Sequence, residues 1–118
     1  MNRRDYKIDE LRELLLSSSD GLFKNNINSK LSLAIRSKFP NISRAFVTNW
    51  ICEQGEDIYT IVVGIDLIMQ IEISRVNESE EPIVEIFSAS QYKNKYPYLT
   101  KISKRTLTLA LALMEDAR

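Results

Sequence analysis

Histidine is absent from this chain of 118 residues, and cysteine occurs once. Histidine is the side chain whose unperturbed pKa suits proton transfer near neutrality, and it is the commonest metal ligand. Its absence excludes Ser-His-Asp and Cys-His nucleophilic sites and every histidine-containing zinc site. The single Cys52 cannot close an internal disulfide, so a reducing cytoplasm is the expected setting. Glycine and proline number three each, which leaves little material for long loops. No Gly-x-Gly-x-x-Gly or Gly-Lys-Ser/Thr stretch is present, so the usual phosphate-cradling loops are missing. No apolar run reaches the roughly 18 residues that cross a bilayer, and the N-terminal segment is amphipathic, unlike a secretion signal. The expectation is one cytoplasmic α+β domain over residues 1–118, with no cofactor, no bound metal and no membrane partner.

What is present is ordinary in amount and uneven in placement. Apolar residues make up 44% and charged residues 27%, with sixteen basic and sixteen acidic side chains cancelling. Acidic residues gather at Glu53, Glu56 and Asp57 and again at Glu72, Glu78, Glu80, Glu81 and Glu85. From Tyr92 to Leu113 every charge is positive: Lys93, Lys95, Lys101, Lys104 and Arg105. Separated patches at zero net charge suit a selective protein partner better than a general polyanion.

Hydrophobic spacing gives the element order. Ile8, Leu11, Leu14 and Leu15 recur at helical intervals, with Asp5 as N-cap and Ser17-Ser18-Ser19-Asp20-Gly21 as the stop. A second helix is expected from Asn26 or Asn28 to Lys38, ended by Pro40. Ser43–Cys52 and Ile58–Ile65 are rich in β-branched and aromatic residues and flank the polar turn Glu53-Gln54-Gly55-Glu56-Asp57, an antiparallel hairpin. Gly64 suggests a bulge. Leu67–Val76 and Ile83–Phe87 supply two further strands around the turn Asn77–Pro82. Leu107, Leu109, Leu111 and Leu113 alternate like a strand, yet the richness in leucine and alanine favours a helix from Ser103 to Ala117. The fold class is therefore α+β: a four-stranded, mainly antiparallel meander packed by two N-terminal helices and one C-terminal helix, in two layers.

Catalytic chemistry has few candidates. Glu80 with Glu81, or Asp57 near Asp66, are carboxylate pairs in solvated loops, and Glu78, Glu80 and Glu81 lack calcium-loop spacing. Cys52 beside Trp50 and Ile51 reads as an inert, buried thiol. Trp50 reads as a core residue, with an outward-facing contact role as the alternative. No catalytic, cofactor or metal residue is assigned. The binding candidates are an acidic patch of Glu53, Glu56, Asp57, Glu78, Glu80 and Glu81, and a tyrosine–lysine segment of Tyr92, Lys93, Lys95, Tyr96, Tyr98 and Lys101. The second has the composition of a protein interface or of a surface for single-stranded nucleic acid, or it packs against the sheet.

The stretch Ser29–Asp66 runs from a helix ending Ser-Lys-Phe-Pro into Ile-Ser-Arg-Ala-Phe-Val-Thr-Asn-Trp and then Gly-Glu-Asp-Ile-Tyr-Thr-Ile-Val-Val-Gly-Ile-Asp. In that order it resembles the C-terminal domain of the bacterial enhanced-serine-sensitivity (SseB) proteins, convincingly over about a third of the chain. The matching motifs are packing and turn patterns, so the resemblance implies a fold and brings no catalytic residue. At the level of size and class the chain is also similar to bacterial immunity proteins of contact-dependent growth inhibition and related toxin systems. The resulting expectation is a non-enzymatic protein that neutralises a cognate toxin, possessing an acidic surface for the basic cleft of a nuclease. The alternatives are a secretion chaperone or adaptor dimerising through Leu109 and Leu113, and a nucleic-acid-binding module.

Overall fold

The structure, a computed structural model, describes residues 3–116 and the side chains of residues 8–116. Its elements are α1 (Arg3–Asp20), continued by a π-helical turn (Gly21–Asn25), α2 (Lys30–Lys38), β1 (Phe46–Glu53), β2 (Glu56–Gly64), β3 (Leu67–Ser74), β4 (Ile83–Phe87), α3 (Ala89–Lys95) and α4 (Lys101–Asp116). The strands form one antiparallel sheet in the order β1-β2-β3-β4, the expected meander. The hairpin, the strand over Ile83–Phe87 and the C-terminal helix stand where the sequence placed them, and Gly64 does mark a register shift, between Val62 and Gly64. Helix α1 already includes Asp5, so the predicted cap there is not the helix start, and the predicted helix end at Ala117 lies outside the described residues.

Helices cover both faces of the sheet, so the layers number three and not two. Successive strand residues point to opposite faces. Val62, Ile68 and Phe46 pack with Leu15 of α1, Tyr92 of α3 and Leu107, Ala110 and Leu113 of α4. Ile61, Val63, Met69 and Ile71 pack instead with Leu22 of the π-turn and Ala34 and Ile35 of α2. Buried on both sides, the run Thr60-Ile61-Val62-Val63 cannot alternate between apolar and polar residues.

Three departures from the expected helices have a local hydrogen-bonding reason. The serines of α1 do not stop it. Ser18 Oγ donates to the Leu15 carbonyl (2.6 Å) and accepts the Val47 amide (3.1 Å), while Ser19 Oγ accepts the Ala45 amide (3.3 Å). Serines that could have ended the helix are thus occupied in tying it to the outer edge of β1. Helix α2 starts later than expected because Ser29 is its cap, its hydroxyl accepting the Ser32 amide at 3.2 Å. Helix α3 forms inside the tyrosine–lysine segment. Ser88 Oγ accepts the Gln91 amide (3.1 Å), Gln91 Oε1 accepts the Ser88 amide (2.8 Å), and Asp66 Oδ1 accepts the Ala89 amide (3.0 Å). This is a capping box.

Candidate partner-binding surface

An antiparallel meander puts the β1–β2 turn and the β3–β4 loop at the same end of the sheet. Strand β1 passes to β2 through Gln54 and Gly55 alone, both left-handed (φ 49° and 79°), which is the geometry of the tight hairpin turn that matches strand twist. The Arg75 amide donates to the Gly55 carbonyl at 2.8 Å. A Cβ on Gly55 would stand 3.0 Å from Val76 Cγ2, so the two loops are in contact. In the second loop, Ser74 Oγ accepts the Val76 and Asn77 amides, and Asn77 Oδ1 accepts the amide and hydroxyl of Ser79. Lys30 of α2 donates to the Glu78 carbonyl. The clasp brings Glu53 and Glu56 to the same end as Glu78, Glu80 and Glu81; all are exposed except the half-exposed Glu56.

Asp57 belongs to this end but is engaged within it. Its side chain is only 19% exposed, and Oδ1 accepts from Trp50 Nε1 (3.2 Å) and Cys52 Sγ (3.3 Å) and lies 3.7 Å from Arg75 Nε. This places Asp57 as the brace of the hairpin, with less freedom to meet a partner than the glutamates around it. Trp50 is not in the core: it is 59% exposed, because β1 is an edge strand and α2 does not reach this far. Its indole lies parallel to Tyr59 (4°, centroids 6.0 Å apart), fixed at its other edge by Asp57. Partial burial, and then the neighbouring carboxylate, hold the Tyr59 phenol above its ordinary pKa.

Cys52 is likewise exposed, not buried, since it shares the outer end of β1 with Trp50. Its thiol is pushed above its ordinary pKa, chiefly by its hydrogen bond to Asp57 and further by that carboxylate's charge. Asp57→Asn removes the charge and weakens the acceptor, so Cys52 should ionise at lower pH. The expected result is faster iodoacetamide alkylation at pH 8 than in the parent chain, followed by mass spectrometry; equal rates would mean that Asp57 does not restrain the thiol.

A groove of about 480 Å³ lies between α2 and the acidic loop, lined by Lys30, Leu33 and Lys38 on one wall and Glu78, Glu80 and Glu81 on the other. Its two lysines offset part of the acidic charge on that side. Asp57 and Asp66 are not neighbours: Asp57 pairs with Ile73 near the clasped end, and Asp66 sits in the β2–β3 turn at the other end. Among the described residues no three His, Cys, Asp or Glu side chains are grouped to hold a metal ion.

The structure takes the tyrosine–lysine segment apart. Tyr92 is 5% exposed in the core, edge-on to Phe87 at 5.9 Å, and burial raises its phenol pKa. Tyr96 donates its hydroxyl to Gln70 Oε1 at 2.8 Å. Lys95 pairs with Glu85 at 3.0 Å and lies over the Phe87 and Tyr96 rings, and the bond to Glu85 raises its pKa. Lys93, Tyr98 and Lys101 stay exposed, without stacking rings between them. Leu107 and Leu113 are buried and Leu109 is half-buried against the same core.

Two carboxylates of the sheet were not among the expected contact residues. Glu72 and Glu85 point to the same face as Ile51, Ile58 and Ile83, a placement set by the alternation Ile71-Glu72-Ile73 and Val84-Glu85-Ile86. That alternation was readable in the sequence, but which face the helices leave open was not. No protein-family model, no curated protein and no solved structure matches the chain.

Proposed function

We propose that the chain is a non-enzymatic binding protein, an immunity protein that neutralises a cognate toxin through the acidic end of its sheet. The observation that carries this reading is the clasp between Arg75 and Gly55, which holds the loops bearing two glutamate clusters distant in sequence together at one end of the sheet. A nuclease cleft must be basic to hold phosphates, and a surface of opposite sign is attracted to it at long range and excludes its substrate once bound. Such a protein works in the cytoplasm, where an incoming nuclease meets nucleic acid. Among the described residues no helix is long and apolar enough to cross a membrane.

The test is co-expression with the toxin reading frame next to this gene in its native genome. The intact chain is expected to restore growth. Glu53→Lys, Glu56→Lys, Glu80→Lys and Glu81→Lys together should abolish rescue while circular dichroism stays unchanged. Full rescue by that variant, or none by the parent chain, would sink the reading.

A further inference from the structure

The helices over one sheet face stop short of its clasped end. The row Phe46–Val62–Ile68–Phe87 lies under α1, α3 and α4. The next row, Asn49–Thr60–Gln70–Glu85, is covered at its middle by α3 and Tyr96: Thr60 is 3% exposed and Gln70 holds Tyr96, while Asn49 and the Lys95-paired Glu85 at its ends are exposed. The row after it, Ile51–Ile58–Glu72–Ile83, crosses all four strands, with Ile51 44% and Ile83 53% exposed. Beyond that row the cross-strand pair Glu53 and Glu56 ends the same face. An open sheet face is ordinarily polar. This one carries three isoleucines bordered by Glu53, Glu56, Glu72 and Glu85.

We propose that this uncovered stretch docks a basic amphipathic helix of a protein partner, its aliphatic side chains on the isoleucine row and its lysines or arginines against the flanking glutamates. The inference rests on reading the chain as a protein-binding module, and it names the face and the kind of segment bound. Charge selects the occupant. Four carboxylates face this patch and the near cation, Lys95, is already paired with Glu85, so an anionic polymer or an anionic membrane is repelled. Lys95 itself displays the mode of contact: its ammonium meets a carboxylate while lying 5.1 Å from the Phe87 ring centroid. Size fits as well. Four strands at about 4.8 Å spacing span roughly 14 Å, which at 1.5 Å per residue is about three turns of helix.

The test titrates the ¹⁵N-labelled full chain with a synthetic peptide, Leu-Lys-Lys-Leu-Leu-Lys-Leu repeated twice, followed by amide chemical shifts. Saturable shifts centred on Ile51, Ile58, Glu72 and Ile83 are expected. Ile51→Ser with Ile83→Ser should weaken binding roughly tenfold, about 1.4 kcal/mol, leaving distant resonances in place. Shifts confined to residues 77–81 would overturn the proposal. So would equal binding of a peptide with glutamate for lysine, or the same shifts from a single-stranded oligonucleotide. The double serine variant is also run in the toxin rescue assay. Rescue that survives it, yet is lost in the glutamate-to-lysine variant, overturns this docking face and leaves the acidic-end function standing.

Discussion

Replacing Phe46 with alanine lowers the stability of the fold by about 3–5 kcal/mol, the cost of deleting a fully enclosed aromatic ring. Phe46 is 0% exposed, opens β1, and shares one buried cluster with Leu15 of α1, Val62 of β2, Ile68 of β3 and Leu107 and Ala110 of α4, so one side chain joins two helices and three strands. Its neighbours cannot close the space. Ala45, adjacent in sequence, points into the other core, and the β1 edge is held in place by the Ser18 and Ser19 hydroxyls. A domain of this size is stable by only about 5–15 kcal/mol, so the loss is a large fraction of the total. Urea unfolding followed by circular dichroism should show the midpoint falling sharply with little change in slope. Trp50→Ala is the comparison: an exposed aromatic on the same strand should shift the midpoint far less. Equal shifts would mean that the two-sided core does not carry the stability assigned to it.

How much of this arrangement could be read beforehand depended on the distance over which each residue acts. The hairpin was legible because Gln54-Gly55 meets a local backbone demand and the flanking strands are β-branched. Helix α3 was legible and missed: Ser88-Ala89-Ser90-Gln91 has capping-box spacing, but the tyrosines and lysines behind it suggested a surface. Other features were not local. Nothing near Trp50 says that α2 packs against β3 and leaves the outer end of β1 uncovered, and nothing near Cys52 says that the thiol is exposed there with it. The serines at the end of α1 have a turn-like sequence, and only the approach of β1 gives their hydroxyls a use inside a helix. For the candidate site, the acidic composition was visible but its grouping was not. The clasp between Gly55 and Arg75 joins residues whose sequences predict only two separate turns, and the bonds of Asp57 to Trp50 and Cys52 across the hairpin are just as hidden in the sequence. The open row Ile51–Ile58–Glu72–Ile83 depends on where three helices stop.

Reversing Glu53, Glu56, Glu80 and Glu81 to lysine should slow association with a basic toxin cleft by about 10- to 1,000-fold, the range over which electrostatic steering acts. The chain's formal net charge is zero, so any long-range attraction must come from the local grouping and not from the molecule as a whole. A local field of this kind reaches about one Debye length, near 8 Å at physiological ionic strength. The association rate of the parent chain should therefore fall steeply between low and high salt, while that of the reversed variant should be low at low salt and change little, or rise. Dissociation should respond less, because these glutamates are exposed or half-exposed and their pairs at the rim are weak once formed. Asp57 is left out of the set because its removal would loosen Trp50 and Arg75 and mix a structural effect with an electrostatic one. Stopped-flow measurement at two salt concentrations separates the cases. An association rate that is insensitive to both salt and charge reversal would show that the acidic end does not guide the encounter.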